Sequence, residues 1–255
     1  MGKILCKLIR MLLRLVLAAL ILAGLAALTV GLLRWRGHIL FREEPDPKQW
    51  EVFGVDVSTY QGDVDWTALA DQGVDFAFIK ATEGSGLRDV RFSDNWVEAQ
   101  AAGLRVGAYH FFSYDSPGAD QAANFIAAVP VTEGTLPPVV DLEFYGPYLE
   151  HPADRDKTRA ILDPLLTALE ERYRTKPILY ATYRSYQLYL SGGAYRDYPL
   201  WISSPMVSPL FHDWDFWQYS HGAHLEGYQG GVDQIDLDVF RGSREEFEAF
   251  GRTGT

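Results

Sequence analysis

From Glu51 onward the chain alternates short apolar, β-rich runs with segments of helical character, and this alternation limits the fold more than any other feature. The runs cover residues 52–55, 76–79, 106–109, 139–142, 178–180, 200–202, 216–219 and 235–240. Between the first five lie helix-like segments at 66–72, 94–102, 118–128 and 153–173. Each gap is long enough for a right-handed crossover, which makes successive strands parallel neighbours. The runs are almost continuously apolar, the mark of strands covered on both faces. Residues 184–199 hold one short helix at most, and the last two gaps are too short and Gly-rich for clear helices. Five strand–helix units followed by three strands with little helix predict an α/β fold, a distorted TIM-like barrel of eight strands. An open doubly wound sheet is the alternative. No internal repeat or low-complexity segment interrupts the pattern.

In such a barrel the chemistry sits at the C-terminal ends of the strands. Polar residues collect there: Asp56, Glu83, Tyr109, His110, Asp141, Glu143, Tyr183, Gln218 and Asp236. The fourth run, Leu136-Pro137-Pro138-Val139-Val140-Asp141-Leu142-Glu143-Phe144, is the most informative. Its prolines fit only where the strand begins. Asp141 and Glu143 are two apart, so they share a face with Cα atoms about 6.6 Å apart. Two acids at the end of an apolar strand are costly unless water, a partner or a substrate meets them. Closure of the barrel would make the first and eighth strands neighbours, setting Asp56 near Asp236 and across the mouth from the Asp141–Glu143 pair.

Several carboxylates around an aromatic-rich mouth suit glycoside hydrolysis, which needs a protonated acid at the leaving oxygen and a second carboxylate beside it. Neighbouring carboxylates push their pKa values apart, so one keeps its proton near neutrality. Glu143 is the better acid because its arm is longer, with Asp141, Asp56 and Asp236 raising its pKa. Tyr, Trp and Phe side chains are expected to stack on sugar rings. Rival chemistries are weaker. His110 is the one histidine at a strand end, and His212, His221 and His224 are expected in solvated loops without metal-ligand spacing. No G-x-S-x-G elbow is present, and Gly84-Ser85-Gly86 lacks the lysine of a phosphate loop. The single cysteine, Cys6, excludes a disulfide framework or a thiolate metal site. No cofactor is expected.

The N-terminus is a separate matter. Residues 15–33 form an uncharged run of 19 residues, roughly 28 Å as a helix and enough to cross a bilayer. Lys3, Lys7, Arg10 and Arg14 precede it, so residues 1–14 are expected in the cytoplasm. Arg34 and Arg36 follow it. A cleaved signal peptide is the alternative, with Ala26-Ala27-Leu28 a poor cleavage site. Residues 34–50 read as a short stalk and 51–250 as the barrel. Six of the 23 basic residues lie in the first 36, leaving 17 against all 34 acids in the remainder, a formal −17. A body so acidic should not bind nucleic acid.

Phe53-Gly54-Val55-Asp56-Val57-Ser58 with Tyr60-Gln61-Gly62 and Trp66 opens a series of ordered motifs. It continues with Phe78-Ile79-Lys80-Ala81-Thr82-Glu83-Gly84, Gly107-Ala108-Tyr109-His110-Phe111 and Val140-Asp141-Leu142-Glu143. Leu179-Tyr180, Leu200-Trp201, Trp217-Gln218-Tyr219 and Asp236-Leu237-Asp238-Val239-Phe240 complete it. From about residue 52 to 242 this series resembles the family 25 glycoside hydrolases, the Chalaropsis-type lysozymes. The resemblance implies a (β/α)5(β)3 barrel and cleavage of the β-1,4 bond between N-acetylmuramic acid and N-acetylglucosamine in peptidoglycan. It implies Glu143 as general acid, Asp141 as the carboxylate acting on the substrate's N-acetyl group or on water, and Asp56 and Asp236 as supporting acids. Substrate-assisted retention is favoured over direct inversion. Glu83, Tyr109, Tyr180, Tyr183, Trp201 and Gln218 are expected to contact the glycan.

Asp238 stands where the family often has Asn, so no role is carried to it. The chitinase-type D-x-x-D-x-D-x-E pattern fails, because Leu136 and Val139 occupy its first two acidic positions. No cell-wall-binding repeat follows the barrel, so targeting is expected to fall to the anchor and the groove, with residues 144–148 as candidate groove lining. The expectation is a hydrolase held in the inner cell membrane through residues 15–33, with its barrel on the periplasmic or extracellular side. A non-catalytic glycan-binding module and a hydrolase of another N-acetylated glycan are the alternatives.

Overall fold

A computed structural model describes residues 2–35, 45–46, 49–205, 207–209 and 213–252. The chain forms two compact units, Met1–Arg42 and Glu43–Thr255. In the first, helix α1 spans Gly2–Trp35. Its 21 residues Met11–Gly31 are long and apolar enough to cross a membrane, about 31 Å at 1.5 Å per residue. Leu12, Leu15, Leu20, Leu22 and Leu28 are all exposed, so no protein core accounts for their apolarity. The stretch starts four residues before the expected 15–33, since a single arginine does not interrupt the helix. Most of the expected stalk and His212 lie outside the described residues. Of the stalk's described end, Trp50 donates its amide to the Asp46 carbonyl (3.0 Å) and packs on Trp214 at 5.3 Å between ring centroids.

The second unit runs β1 (Val52–Val57), β2 (Gly62–Val64), α2 (Trp66–Asp71), β3 (Phe76–Glu83), β4 (Leu87–Arg88), α3 (Phe92–Ala101), β5 (Arg105–Phe111) and α4 (Gly118–Ala128). It continues through β6 (Val139–Leu142), α5 (Arg155–Tyr173), β7 (Ile178–Thr182), α6 (Tyr183–Ser185), β8 (Leu200–Ser203), β9 (Phe216–Ala223), β10 (Tyr228–Gly230), β11 (Ile235–Phe240) and α7 (Arg244–Ala249). Eight strands close a barrel in the order β1-β3-β5-β6-β7-β8-β9-β11, with β11 returning to β1. The pairs from β1 round to β9 are parallel, and β11 is antiparallel to both its neighbours. The barrel expectation holds, and the open sheet does not. The short strands β2, β4 and β10 were not expected. Two or three residues carry no periodic signal, and β2 and β10 are held by pairing with each other.

Alternation along each strand sorts the side chains into two layers. Outward residues such as Val55, Ala77, Ile79, Val106, Val140, Leu179 and Ile202 pack beneath the helices. Inward residues Val52, Phe76, Phe78, Val139, Ile178, Tyr180, Trp201, Phe216 and Phe240 form a second, interior cluster. Phe78 stacks on Trp201 at 4.4 Å and meets Phe76 and Phe216 edge-on. Gly54 makes room for this: a Cβ there would stand 2.3 Å from the Phe76 ring. From below, Phe247 of α7 packs against Phe76 and Phe240, and Arg105 fastens the helix by donating to the carbonyls of Phe247 and Phe250. The barrel is therefore a solid aromatic plug at its base, and only its upper end is open to polar groups.

Candidate active site

The same inward phase that fills the base carries acids at the top. On β1, Val52 and Gly54 are followed in phase by Asp56, and on β6 Val139 is followed by Asp141. On β11 the direction is reversed: Phe240 lies at the base, with Asp238 and Asp236 successively higher. Asp236 thus reaches the mouth from the N-terminal end of its strand, not from a C-terminal end as expected. Registry places it directly opposite Asp56. Asp56, Asp141 and Asp236 line a cavity of about 320 Å³ together with Lys80, Tyr109, Glu143, Tyr180, Trp201, Gln218 and His221, while Asp238 is sealed beneath it. Tyr60, 67% exposed, stands on its rim.

Gln218 ties the acids together. Its Nε2 donates to Asp56 Oδ2 (2.6 Å) and Asp236 Oδ2 (3.2 Å). Its Oε1 accepts from the Tyr180 hydroxyl (2.8 Å) and from His221 Nε2 (2.8 Å), a nitrogen also 2.8 Å from Ser203 Oγ. Two carboxylates on one side and a hydroxyl donor on the other fix the amide's orientation. The expected glycan contact is thus a buried bridge. Trp201 is likewise floor and not platform: it is 2% exposed, stacked on Phe78, and its indole N–H donates to Asp238 Oδ1 (2.8 Å).

The electrostatics favour retained protons. Burial, then Asp236 and Asp238, push Asp56 upward, and Gln218 opposes this. Burial and Glu143 raise Asp141, opposed by Lys80, and burial raises Glu143, again opposed by Lys80. Asp236 is pushed up to about 7 by burial and by Glu143. Burial and the surrounding acids raise the phenols of Tyr109 and Tyr180, which stay neutral. Lys80 lines the mouth with its ammonium 2.7 Å from Glu83 and 4.6 Å from the centre of the Phe111 ring. Asp141 is buried, and its Oδ1 has no hydrogen-bond partner. Among the described residues no group of three or more His, Cys, Asp or Glu is arranged to hold a metal ion.

Eight of the ten expected site residues meet here: Asp56, Tyr109, Asp141, Glu143, Tyr180, Trp201, Gln218 and Asp236. Glu83 does not line the cavity and serves as the partner of Lys80, and Tyr183 sits outside it at the start of α6. His110 points outward, being out of phase with Tyr109. Its Nδ1 lies 2.7 Å from Thr82 Oγ1 and its Nε2 3.0 Å from Gln121 Oε1. His221 is on β9 and not in a loop. Residues 144–148 pack on one another and on Tyr114 rather than lining the cavity. Lys80 and Asp238 were missed, although the strand period marks both: Lys80 is in phase with Phe76 and Phe78, Asp238 with Phe240.

The model of the glycosyl hydrolases family 25 matches residues 55–228. The uncharacterized protein YegX of Escherichia coli O6:H1 is 35% identical over 212 residues, covering 80% of this chain and 75% of its own. Lysozyme M1 of Streptomyces globisporus is 31% identical over 205 residues, covering 75% and 68%. The solved structure of a family 25 glycosyl hydrolase from Bacillus anthracis superposes with a TM-score of 0.77 at 45% identity, over 84% of this chain and 99% of that one.

Proposed function

The chain belongs to family 25 of the glycosyl hydrolases, and from that premise we propose that it is a membrane-anchored muramidase cleaving the β-1,4 bond between N-acetylmuramic acid and N-acetylglucosamine. The observation that carries the reading is the convergence of Asp56, Asp141, Glu143 and Asp236 on one cavity at the open end of the barrel. Burial raises Glu143, so it holds the proton that the departing sugar oxygen needs. Asp141 has a buried oxygen without a donor, which suits it to accept the substrate's acetamido N–H and steer the acetyl oxygen toward the anomeric carbon. Glu143, having given up its proton, then takes one from the water that completes hydrolysis. Lys80 is the cation lining the cavity and moderates the mutual repulsion of this pair. Asp56 and Asp236, bridged by Gln218, complete the acidic wall that faces a developing oxocarbenium charge.

The full-length chain in detergent should release reducing muropeptides from purified peptidoglycan, and E143Q should lower kcat by roughly 10²–10⁴-fold. Equal digestion by E143Q would remove Glu143 from its role, and binding without product would reduce the protein to a glycan-binding module. The anchor reading rests on Met11–Gly31 and on the basic residues before it. A reporter fused to the C-terminus should be active only outside the cytoplasm, and cytoplasmic activity would sink it.

A further inference from the structure

The cavity is short of platforms for a sugar ring. Trp201 and Tyr180 are buried, and Phe144, Tyr145 and Tyr148 pack on Tyr114. Among the described residues of the second unit, two aromatic side chains are exposed, Tyr60 at 67% and Tyr183 at 49%. A single exposed ring on a protein surface needs no explanation. The placement of these two does. Tyr60 follows β1 and Tyr183 follows β7, and the strands from β1 round to β7 are all parallel, so both rings stand at the open end of the barrel. In the closed ring of eight strands, β7 is four places from β1 in either direction. The two tyrosines therefore face each other across the mouth. Tyr60 lines the cavity on the β1 side, beside Asp56, and Tyr183 stands beyond its edge next to β6, the strand that leads into Glu143.

We propose, on the muramidase reading, that the glycan strand lies across the mouth along the line from β1 to β7, with its sugar rings stacked on Tyr60 at one side of the bond to be cut and on Tyr183 at the other. The backbone beneath each ring is fastened, so neither is exposed because its loop is loose. Tyr60 donates its amide to Ser58 Oγ (3.2 Å), and its carbonyl accepts from the Val232 amide (2.7 Å). The Thr59 amide before it donates to Asp89 Oδ2 (2.8 Å). On the far side, Thr182 Oγ1 accepts from the Ser185 amide (3.3 Å), and Arg184 donates to the Leu149 carbonyl (2.7 Å). The chemistry agrees with the placement. One face of a pyranose presents C–H groups that an aromatic face covers, while the hydroxyl and acetamido groups stay at the edge of the stack. A tyrosine loses only two torsions in making this contact. Two fixed platforms with the acids between them also set the direction in which the strand crosses Glu143.

The test is binding. The full-length chain in detergent, carrying E143Q to slow cutting, is sedimented with purified insoluble peptidoglycan. Adding Y60A or Y183A should weaken binding about 5- to 30-fold each, the loss from truncating an aromatic anchor. The two losses together should multiply, since the rings stand on opposite strands. Y60F and Y183F keep the ring and should bind within about twofold of the E143Q parent. Thermal unfolding should move by no more than about 2 °C, because both rings are exposed. Y60L and Y183L, which keep bulk but offer no flat face, take the place of an alanine variant that unfolds. Binding within about twofold of the parent in either truncated variant overturns the proposal. Phenylalanine variants as weak as the alanine ones overturn it too, since hydroxyls and not ring faces would then hold the strand, and so does a parent that does not sediment. A wild type that releases no muropeptides while sedimentation still depends on both rings would sink the muramidase reading and leave the path of the strand standing.

Discussion

Replacing Gln218 with leucine tests whether the acids are held as one set. Leucine is close in volume, so the floor stays filled and the loss falls on polar contacts. Asp56 and Asp236 each lose an amide donor, and the buried Tyr180 hydroxyl loses its acceptor. A hydrogen bond to a charged group is worth about 1.5–3 kcal/mol and an orphaned buried hydroxyl costs about 1–3. Water at the mouth replaces part of the first two losses, and Tyr180, being 7% exposed, has little such relief. The sum expected is a destabilisation of ~2–4 kcal/mol, or roughly 4–16 °C in Tm at about 2–4 °C per kcal/mol for a domain of this size. Activity should change in a specific direction as well. Gln218 opposes the upward push on Asp56, so its removal raises Asp56 further. The carboxylate then forms only at higher pH, and the acidic limb of kcat/KM moves up. Thermal unfolding of the full-length chain in detergent, with pH–rate profiles on peptidoglycan, reads both effects. A Q218L protein that unfolds within about 1 °C of wild type, with its acidic limb unmoved, would refute the bridging role.

Two further outcomes concern stability away from the chemistry. Gly118 opens α4 against α5, and a Cβ there would stand 1.8 Å from the Ile161 carbonyl oxygen. G118A should therefore force the two helices apart and cost about 1–3 kcal/mol in denaturant unfolding; an unchanged midpoint would show that the close approach is not needed. His110, 0% exposed, is lowered from 6.5 to about 4 by burial. Its contribution is complete above the unfolded value and is lost as pH falls through 6.5 toward 4, with at most ~3 kcal/mol at stake. The difference between the pH–stability curves of wild type and H110Q should slope in that window and be flat above it, and a flat difference throughout would mean the imidazole is not buried in its neutral form.

The parts of this protein legible in the sequence are those written in the strand period. Near-continuous apolar runs gave the start of each barrel strand to within a residue, though strands such as β3 and β9 run four residues further than expected, and the lengths of the gaps gave the parallel order from β1 to β7. The D-x-E of β6 could be oriented because Asp141 and Glu143 follow Val139 in steps of two. Direction was harder. Nothing in residues 235–240 says that β11 runs antiparallel, since a short Gly-containing connection permits a hairpin without requiring one. Exchanging roles also escaped notice: Gln218 and Trp201 have the chemistry of glycan contacts, and only their burial shows them turned to other side chains. Glu83 drew attention as an acid at a strand end, while Lys80, the residue in phase with Phe76 and Phe78, reaches the cavity. Asp238 was given no role because it stands where the resembled family often has Asn, and the sequence does not show that it faces a sealed floor.

The clip between β2 and β10 has a consequence for rebuilding the enzyme's rim. One half follows Asp56 in the chain and the other precedes Asp236, so the strands carrying these acids, some 180 residues apart, are stitched just above them. The stitches are mostly backbone: Asp65 donates to the Gly227 carbonyl (2.5 Å), Val232 to that of Tyr60 (2.7 Å), and the Gln61 side chain to that of Gln234 (3.2 Å). Such bonds do not depend on which side chains decorate the loops. Residues 59–65 and 227–234 therefore behave as a single mechanical part, and a graft meant to change glycan preference has to move both halves together or neither. Exchanging one alone would break the clip above Asp56 and Asp236 while leaving the β1–β11 ladder beneath it.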